Sequence, residues 1–278
     1  MSPRFAAATS FLCLSVAAGA QAPGGAFRLQ GAPVQGALLR GTMPAGAVSL
    51  TLDGSEVPVA ADGRFLLGLD RDAPAAIRLV ARSGDGRETI ETIRVAPRAW
   101  PLQRINMARP STGPTPAYRV LREGELARIG AARARRTVAT GWAQRLIWPA
   151  RGRVSGRFGS QRIYRGGVPA AYHSGTDVAA GAGAIVVAPA DGVITLAPPP
   201  MFSLEGNLVI IDHGLGLSSA FLHLSSVEVR TGQAVRQGEP IGRVGATGRA
   251  TGPHLHWSLV WNGARLDPQA VAGAMGGD

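Results

Sequence analysis

Short apolar runs separated by turn residues restrict the fold of this chain more than any other feature. Residues 26–97 contain alternating apolar runs that lead into Asp-Gly pairs at 53–54, 62–63 and 85–86. Asp-Gly between alternating runs indicates a hairpin, because a type I′ turn needs positive φ at both central residues. The pattern predicts several short antiparallel strands, and their spacing favours an immunoglobulin-like β-sandwich.

The C-terminal part, from residue 147 onward, likewise has glycine and proline residues between its apolar runs. This pattern predicts an all-β domain of many short strands with little room for helix. The runs are Val154, 185–187, 193–196, 208–211, 221–222, 241–244 and 254–259.

A linker and a helix are predicted between these two parts. Residues 101–117 contain four prolines, which cannot sustain a helix or a central strand. From Tyr118 to about Gly141 the composition turns to Ala, Arg, Leu and Glu, which favours a helix. Gly124 and Gly130 each cost about 1 kcal/mol relative to Ala in a helix interior, so this helix should depend on packing.

The N-terminus is typical of a secretory signal. Arg4 gives a positive start, residues 5–18 are apolar, and Ala20-Gln21-Ala22 is an A-x-A cleavage site. Cys13, the only cysteine, would leave with this segment, so the mature protein would contain no disulfide. No other run reaches the length of a membrane span. We therefore expect a periplasmic or secreted protein that is not integral to a membrane after cleavage.

The predicted divisions follow directly. They are a signal peptide at 1–22, a β-sandwich module at 23–100, a Pro-rich linker plus helix at 101–146, and the C-terminal domain at 147–278.

Positive charge is carried entirely by arginine. The formal net charge is +11, and the 29 basic residues include no lysine. An anionic polymer is a plausible partner for such a chain, and a basic run at Arg133, Arg135 and Arg136 is either a polyanion-binding patch or a solvated face. Nucleic acid is not expected, because aromatic residues are only 5% and no nucleic-acid module is present. Compositional bias of the source is the alternative explanation for the charge.

Two short motifs near the C-terminus indicate a zinc site. They are His173-Ser174-Gly175-Thr176-Asp177 and His254-Leu255-His256. A catalytic zinc takes three protein ligands and leaves one position to water, and histidine and aspartate are among its usual ligands. In a His-x-His pair on a strand, both rings project from one face, so one ring can bind metal while the other addresses the water.

The region from about Trp148 to Pro268 resembles the lysostaphin-type, or LytM-like, zinc metallopeptidases that cut peptide cross-links in bacterial cell walls. The resemblance rests on four motifs in chain order: His173-x-x-x-Asp177, residues 206–214, residues 221–225 and residues 251–256. It implies one Zn²⁺ per chain and peptidoglycan as the substrate. It also implies that His173, Asp177 and His256 are metal ligands, and that His223 and His254 are catalytic histidines.

Other residues carry weaker expectations. Arg162 and Tyr164, on a polar insertion at 160–172, are candidates for contacting the substrate peptide, although a structural or solvent-facing role is the alternative. His213 is expected to be structural. Gly175 either permits a close backbone approach near the metal or is an ordinary turn glycine.

A second resemblance concerns architecture. Residues 187–194 and 235–242 are similar to the hybrid-barrel strands of lipoyl and biotinyl carrier domains. Such carriers attach their cofactor to lysine, so a carrier function is excluded here. The expected fold is mainly β, with an N-terminal immunoglobulin-like β-sandwich, a helical linker and a C-terminal hybrid-barrel-like antiparallel β metallopeptidase domain.

These resemblances imply an exported zinc endopeptidase that hydrolyses peptide bonds in peptidoglycan stem peptides or cross-links. One alternative is a non-catalytic peptidoglycan-binding activator of another cell-wall hydrolase, and a regulatory protein partner is compatible with either reading. Another is a latent enzyme in which the N-terminal module or linker occludes the groove.

Overall fold

The N-terminal part of the chain is built from two antiparallel sheets. The computed structural model describes residues 26–109 and 113–275, and the predicted signal segment lies outside these ranges. The sheet orders are β1-β2-β5 and β4-β3-β6-β7. The strands are β1 (Arg28–Gln30), β2 (Leu38–Thr42), β3 (Ala47–Leu52), β4 (Ser55–Glu56), β5 (Arg64–Gly68), β6 (Ala76–Ser83) and β7 (Glu88–Arg94). The β prediction is confirmed, whereas the immunoglobulin-like label stays a prediction.

The three Asp-Gly pairs form turns of different kinds. Asp53 and Gly54 both have positive φ, at 47° and 82°, as a type I′ turn requires. At 62–63 and 85–86 only the glycine has positive φ. There the aspartate side chain accepts a backbone N–H two residues later, as in Asp62 Oδ1 with Arg64 N at 3.1 Å. The type I′ expectation was therefore wrong at these two turns, because side-chain hydrogen bonds stabilise another turn.

The middle of the chain contains β8 (Leu102–Arg104) and helix α1 (Pro116–Ala134). The Thr115 side chain caps α1 by accepting the N–H of Tyr118 at 3.2 Å. The helix ends seven residues before Gly141, because Arg135 adopts an extended conformation. The backbone N–H and the hydroxyl of Thr137 then donate hydrogen bonds to Asp212 Oδ2. These bonds attach the segment after α1 to β14 of the C-terminal sheet. No helix in the described ranges is long and apolar enough to cross a membrane.

One large antiparallel sheet dominates the C-terminal part. Its order is β17-β13-β14-β15-β19-β11-β9 with β20 paired to β19, and a small sheet β12-β18-β16 lies apart from it. The elements are β9 (Arg153–Gly156), β10 (Gln161–Ile163), β11 (Thr176–Ala179), β12 (Ile185–Val187), β13 (Gly192–Leu196), β14 (Asn207–Gly214), β15 (Leu217–Leu224), β16 (Ser226–Val227), β17 (Ala234–Val235), β18 (Pro240–Arg243), β19 (Leu255–Trp261), β20 (Ala264–Leu266) and α2 (Pro268–Ala272). Every predicted apolar run of this part lies on or overlaps one of these strands.

The period of two along β19 gives the large sheet two different faces. Trp257 and Trp261 lie on the back face, within the main hydrophobic core. His256, Ser258 and Val260 lie on the opposite face, called the front face below. Helix α1 covers part of the front face, where its buried residues pack with Ala220 of β15, the neighbour of Ser258. The helix thus depends on packing, as its glycines predict.

The N-terminal sheets and the back of the large sheet share one core. The main core cluster runs without a break from residues of β5 and β6 to residues of β19 and β20. Gly68 approaches Trp261 so closely that a Cβ atom at position 68 would lie 2.9 Å from Trp261 Cβ. At the rim, Arg98 and Asp267 form an ion pair of 2.8 Å. The N-terminal part is therefore packed against the site-bearing sheet over an apolar surface.

Candidate metal centre and active site

Strand pairing brings the three predicted ligands to one point. Asp177 of β11 lies directly opposite His256 of β19 in the antiparallel register. Asp177 Oδ1 is 2.8 Å from His256 Nδ1 and 3.2 Å from His173 Nε2. The two histidine nitrogens are also 3.2 Å apart. The three side chains therefore converge through one atom each.

This donor set fits a zinc ion. Zinc ligands at 2.0–2.2 Å in a tetrahedral shell stand about 3.3–3.5 Å from one another. The three ligand atoms lie 2.8–3.2 Å from one another, close to that spacing. Two imidazole nitrogens and one carboxylate oxygen also leave a fourth position for water, as in catalytic zinc sites.

The carboxylate at the centre is strongly stabilised in its charged form. Burial alone would raise the pKa of Asp177, but hydrogen bonds with His173 and His256 outweigh burial and hold the pKa far below its usual range. Burial lowers the pKa of His256, whereas at His173 the contacts with Asp177 outweigh burial and raise the pKa. Asp177 is thus an anion at any working pH, as a cation ligand should be.

Glycines give the ligands the room they need. A Cβ atom at Gly175 would lie 2.6 Å from His256 Nε2, so the expected close backbone approach near the metal site is present. Gly156 of β9 makes a similar approach to the carboxylate of Asp177. His173 is oriented from its other ring nitrogen, because Nδ1 lies 3.1 Å from the carbonyl oxygen of Arg157, which can only accept a hydrogen bond.

His223 reaches the site through an irregularity in β15. Regular alternation from Leu222 on the front face would point His223 into the core. Instead the β14–β15 register shifts here, and His223 has a φ of 66°. A non-glycine residue in this region is uncommon and is often found at functional sites. The ring centre of His223 thereby lies 4.9 Å from that of His254 and 6.3 Å from that of His256.

Backbone carbonyls fix the tautomers of both candidate catalytic histidines. His223 Nδ1 lies 2.8 Å from the carbonyl oxygen of Thr247, and His254 Nδ1 lies 2.8 Å from that of Gly252. Each Nδ1 must therefore donate its hydrogen, which leaves Nε2 of the neutral ring as a proton acceptor. Burial lowers the pKa of His223 by more than the hydrogen bond with the Thr247 carbonyl raises it. The lowered pKa favours this neutral form.

The metal-ligand cluster remains accessible to solvent. The side chain of His173 is 25% exposed and that of Asp177 is 21% exposed, while those of His254 and His256 are 18% and 10% exposed. Helix α1 covers the front face beside the cluster without sealing it. The latent-enzyme alternative, in which the N-terminal module or linker occludes the groove, stays a prediction.

The polar insertion lies beside the site, but its two candidate residues do not join the histidines. Arg162 is exposed and donates to Gln103 Oε1 at 3.2 Å, and Tyr164 begins a short 3₁₀ turn at 165–167. Within the described chain no hydrogen bond, ion pair or ring contact connects either side chain to the cluster. Their contact with a substrate peptide stays a prediction.

The N-terminal part holds the segment before His173 in place through Arg71. This buried side chain donates to the carbonyl of Gly159 at 3.1 Å and to Gln161 Oε1 at 3.0 Å, and lies over the ring of Tyr172 at 4.7 Å. Gly159 in turn donates its N–H to the carbonyl of His173 at 2.9 Å. An arginine in a turn of the N-terminal part gives no sequence pattern that points to this role.

His213 is structural, as the sequence suggests. It is fully buried, with Nδ1 2.8 Å from the carbonyl of Asp191 and Nε2 2.8 Å from Ser219 Oγ. Burial lowers the pKa of His213 and keeps the ring neutral.

Comparison with known proteins agrees with this geometry. The profile of peptidase family M23 matches residues 171–268. The chain is 39% identical over 119 residues to the peptidoglycan DD-endopeptidase ShyC of Vibrio cholerae, covering 43% of this chain and 27% of that protein. It is 46% identical over 100 residues to the DD-carboxypeptidase/endopeptidase Mpg of Neisseria meningitidis, covering 36% of this chain and 23% of that protein. The chain thus spans about a quarter of the length of these curated relatives.

A solved structure matches almost the whole molecule. The crystal structure of a Pseudomonas aeruginosa protein assigned to peptidase M23 is 31% identical in sequence, with a TM-score of 0.67. The match covers 87% of this chain and 95% of that one, so it includes the N-terminal sheets as well as the histidine cluster.

Proposed function

This chain belongs to peptidase family M23, and we propose that it is an exported zinc-dependent endopeptidase that cleaves peptide bonds in peptidoglycan stem peptides or cross-links. The observation that carries the proposal is the convergence of His173 Nε2, Asp177 Oδ1 and His256 Nδ1 at 2.8–3.2 Å. Two further histidines lie beside this point: Nε2 of His254 is 3.9 Å from Asp177 Oδ1, and the ring centre of His223 is 6.3 Å from that of His256.

The ligand set would hold one zinc ion per chain. When bound there, Zn²⁺ supplies a Lewis acid that lowers the pKa of a water ligand to about 7 and polarises the substrate carbonyl. Asp177 contributes the negative charge, and its low pKa keeps that charge available. The Arg157 carbonyl keeps the metal-facing nitrogen of His173 unprotonated by holding the hydrogen on the other one.

His223 and His254 would move the protons of the reaction. A neutral imidazole with Nδ1 bound to a carbonyl can accept the proton of the attacking water at Nε2 and later donate it to the leaving amine. The protonated ring can also stabilise the oxyanion of the tetrahedral state. The two rings, 4.9 Å apart, are placed to share these tasks.

The substrate and the cellular location are proposed from separate observations. ShyC is named a peptidoglycan DD-endopeptidase, and Mpg is named a DD-carboxypeptidase/endopeptidase. The segment 1–22 has the pattern of a secretory signal, and peptidoglycan lies outside the cytoplasm. The intact set of five site residues and the partial exposure of His173 and Asp177 favour an enzyme over a non-catalytic activator.

A sacculus digestion tests this function. Residues 23–278 loaded with zinc should release peptide fragments from purified sacculi, and their masses should identify the cleaved bond. Asp177→Ala should release none. Equal release by both proteins, or none from zinc-loaded wild type, would contradict the proposal.

A further inference from the structure

Three arginines surround a cavity at the far end of the front face. Arg133 lies in the last turn of α1 and Arg136 follows the helix. Arg265 comes from β20, and its guanidinium also lies over the ring of Tyr172 at 5.5 Å. The cavity has a volume of about 180 Å³. The other lining residues are Gly216, Ser218, Val260, Asn262 and Gly263.

The cavity lies on the same strand face as the metal ligand His256. Val260 follows His256 by four residues on β19, so both point to the front. Four residues of extended strand span about 13 Å. Arg265 is the β20 partner of Val260, which brings its side chain to this face.

The positive charge of the cavity has no acidic partner. Within residues 26–109 and 113–275, none of the three arginines forms an ion pair. The Nε atom of Arg133 is buried and has no hydrogen-bond partner. Glu205, the acid that acts on Arg133 electrostatically, is paired with Arg122 at 2.7 Å. Burial, and then the charge of Arg265, lower the pKa of Arg133.

The geometry of the cavity is suited to an anion. Arg136 is fixed by donating to Asn262 Oδ1 at 3.0 Å and to the carbonyl of Arg133 at 2.8 Å. A buried N–H without a hydrogen-bond partner, as at Nε of Arg133, is costly, and a charge-assisted hydrogen bond from a planar guanidinium to a carboxylate removes that cost. Ser218 and Asn262 add neutral polar groups at the wall.

We propose that this cavity is a carboxylate-binding subsite, and that its ligand is a free carboxylate of the peptide that the enzyme cleaves. The inference rests on the proposed function, because it takes the substrate to be a peptide that reaches the metal centre. The basic run at the end of α1 would then select substrate rather than merely face solvent.

Calorimetric binding to the zinc-loaded full chain tests the subsite. The probes are a soluble stem tetrapeptide with free carboxylates and the same peptide with its carboxylates converted to amides. We expect the peptide with free carboxylates to bind about tenfold more tightly than the amidated peptide. Arg133→Gln and Arg265→Gln should remove this preference, whereas Arg135→Gln, an exposed neighbour outside the cavity, should keep it.

The outcomes separate the subsite from the proposed function. A carboxylate preference that survives both cavity variants would place the anion elsewhere, for example at the metal, and would overturn the inference. Hydrolysis of sacculi without any carboxylate preference would also overturn it while leaving the function intact. The third outcome combines two results: the cavity variants lose the carboxylate preference, and the wild type does not hydrolyse sacculi. This outcome would support the subsite and contradict the proposed function. Arg133→Gln should fold, since it removes a buried Nε atom that has no hydrogen-bond partner, and its thermal unfolding checks this.

Discussion

Asp177 packs its carboxylate directly against the backbone of Gly156, and a Cβ atom at position 156 would lie 2.8 Å from Asp177 Cγ. The register of β9 against β11 creates this contact. Because Gly156 has no side chain, the neighbouring strand leaves the space that the Asp177 carboxylate occupies.

Gly156→Ala should weaken zinc binding about 10- to 100-fold, because the added methyl group displaces Asp177 from the point where the two histidines converge. Competition with a chromophoric chelator measures the affinity. Gly181→Ala is the matched control, since nothing lies within 4 Å of a Cβ atom there. Equal affinities in the two variants would show that Asp177 tolerates the displacement.

His223→Ala and His254→Ala should each keep zinc and lose about 10²- to 10⁴-fold in turnover, because they remove a proton-transfer group and no ligand. His173→Ala should lose zinc as well as activity. Metal content by atomic emission and rates on sacculi distinguish the two classes. A zinc-free His254→Ala protein would mean that this histidine is a ligand.

Thr247→Val should lower turnover with little change in zinc affinity. The Thr247 hydroxyl donates to the carbonyl of Leu224 and accepts the N–H of Asn207, both at 2.9 Å, and its carbonyl holds His223. Loss of the hydroxyl leaves these groups unpaired at a cost of about 1–3 kcal/mol in the free energy of unfolding and releases the loop that orients His223. Thr247→Ser should restore turnover, because it keeps the hydroxyl group. Low turnover in Thr247→Ser would show that the hydroxyl does not orient His223.

Stability should depend on pH through His213. Burial holds its folded pKa below the value of about 6.5 expected for the unfolded chain, so the folded state disfavours the charged ring. The contribution of neutral His213 is therefore complete above about pH 6.5 and declines as the pH falls below it. Denaturant unfolding of the wild type and of His213→Gln at pH 7.5 and 5.5 should show the wild type losing more stability. Parallel losses would assign the pH dependence to other groups.

Arg71→Met should reduce zinc affinity although Arg71 contacts no ligand. The substitution keeps apolar volume but removes the hydrogen bonds to Gly159 and Gln161 that hold the segment before His173. Chelator competition on Arg71→Met and on Arg82→Met, an exposed arginine of the same module, measures the effect. An unchanged affinity in Arg71→Met would show that the insertion holds its shape alone.

The sequence predicts the strands because they depend on local alternation, whereas the convergence of the two histidine motifs was expected from their ligand types and the family resemblance. Alternation defines β19, and the antiparallel register of β11 against β19 places His256 opposite Asp177. The position of His223 was not predictable in the same way, since its left-handed backbone arises from a register shift between β14 and β15. Thr247 and Arg157 act through main-chain carbonyls, which every residue has. Arg71 acts from a turn of the N-terminal part, and only tertiary packing shows it.

The uninterrupted core between the N-terminal sheets and the back of the large sheet has a consequence for thermodynamics and for evolution. Heating should produce a single calorimetric transition, because neither part can lose its partner without exposing apolar surface. For the same reason the N-terminal part cannot be exchanged between proteins as an independent cassette. Its substitutions must be accommodated by the surface around Trp261, so the two parts are expected to diverge together.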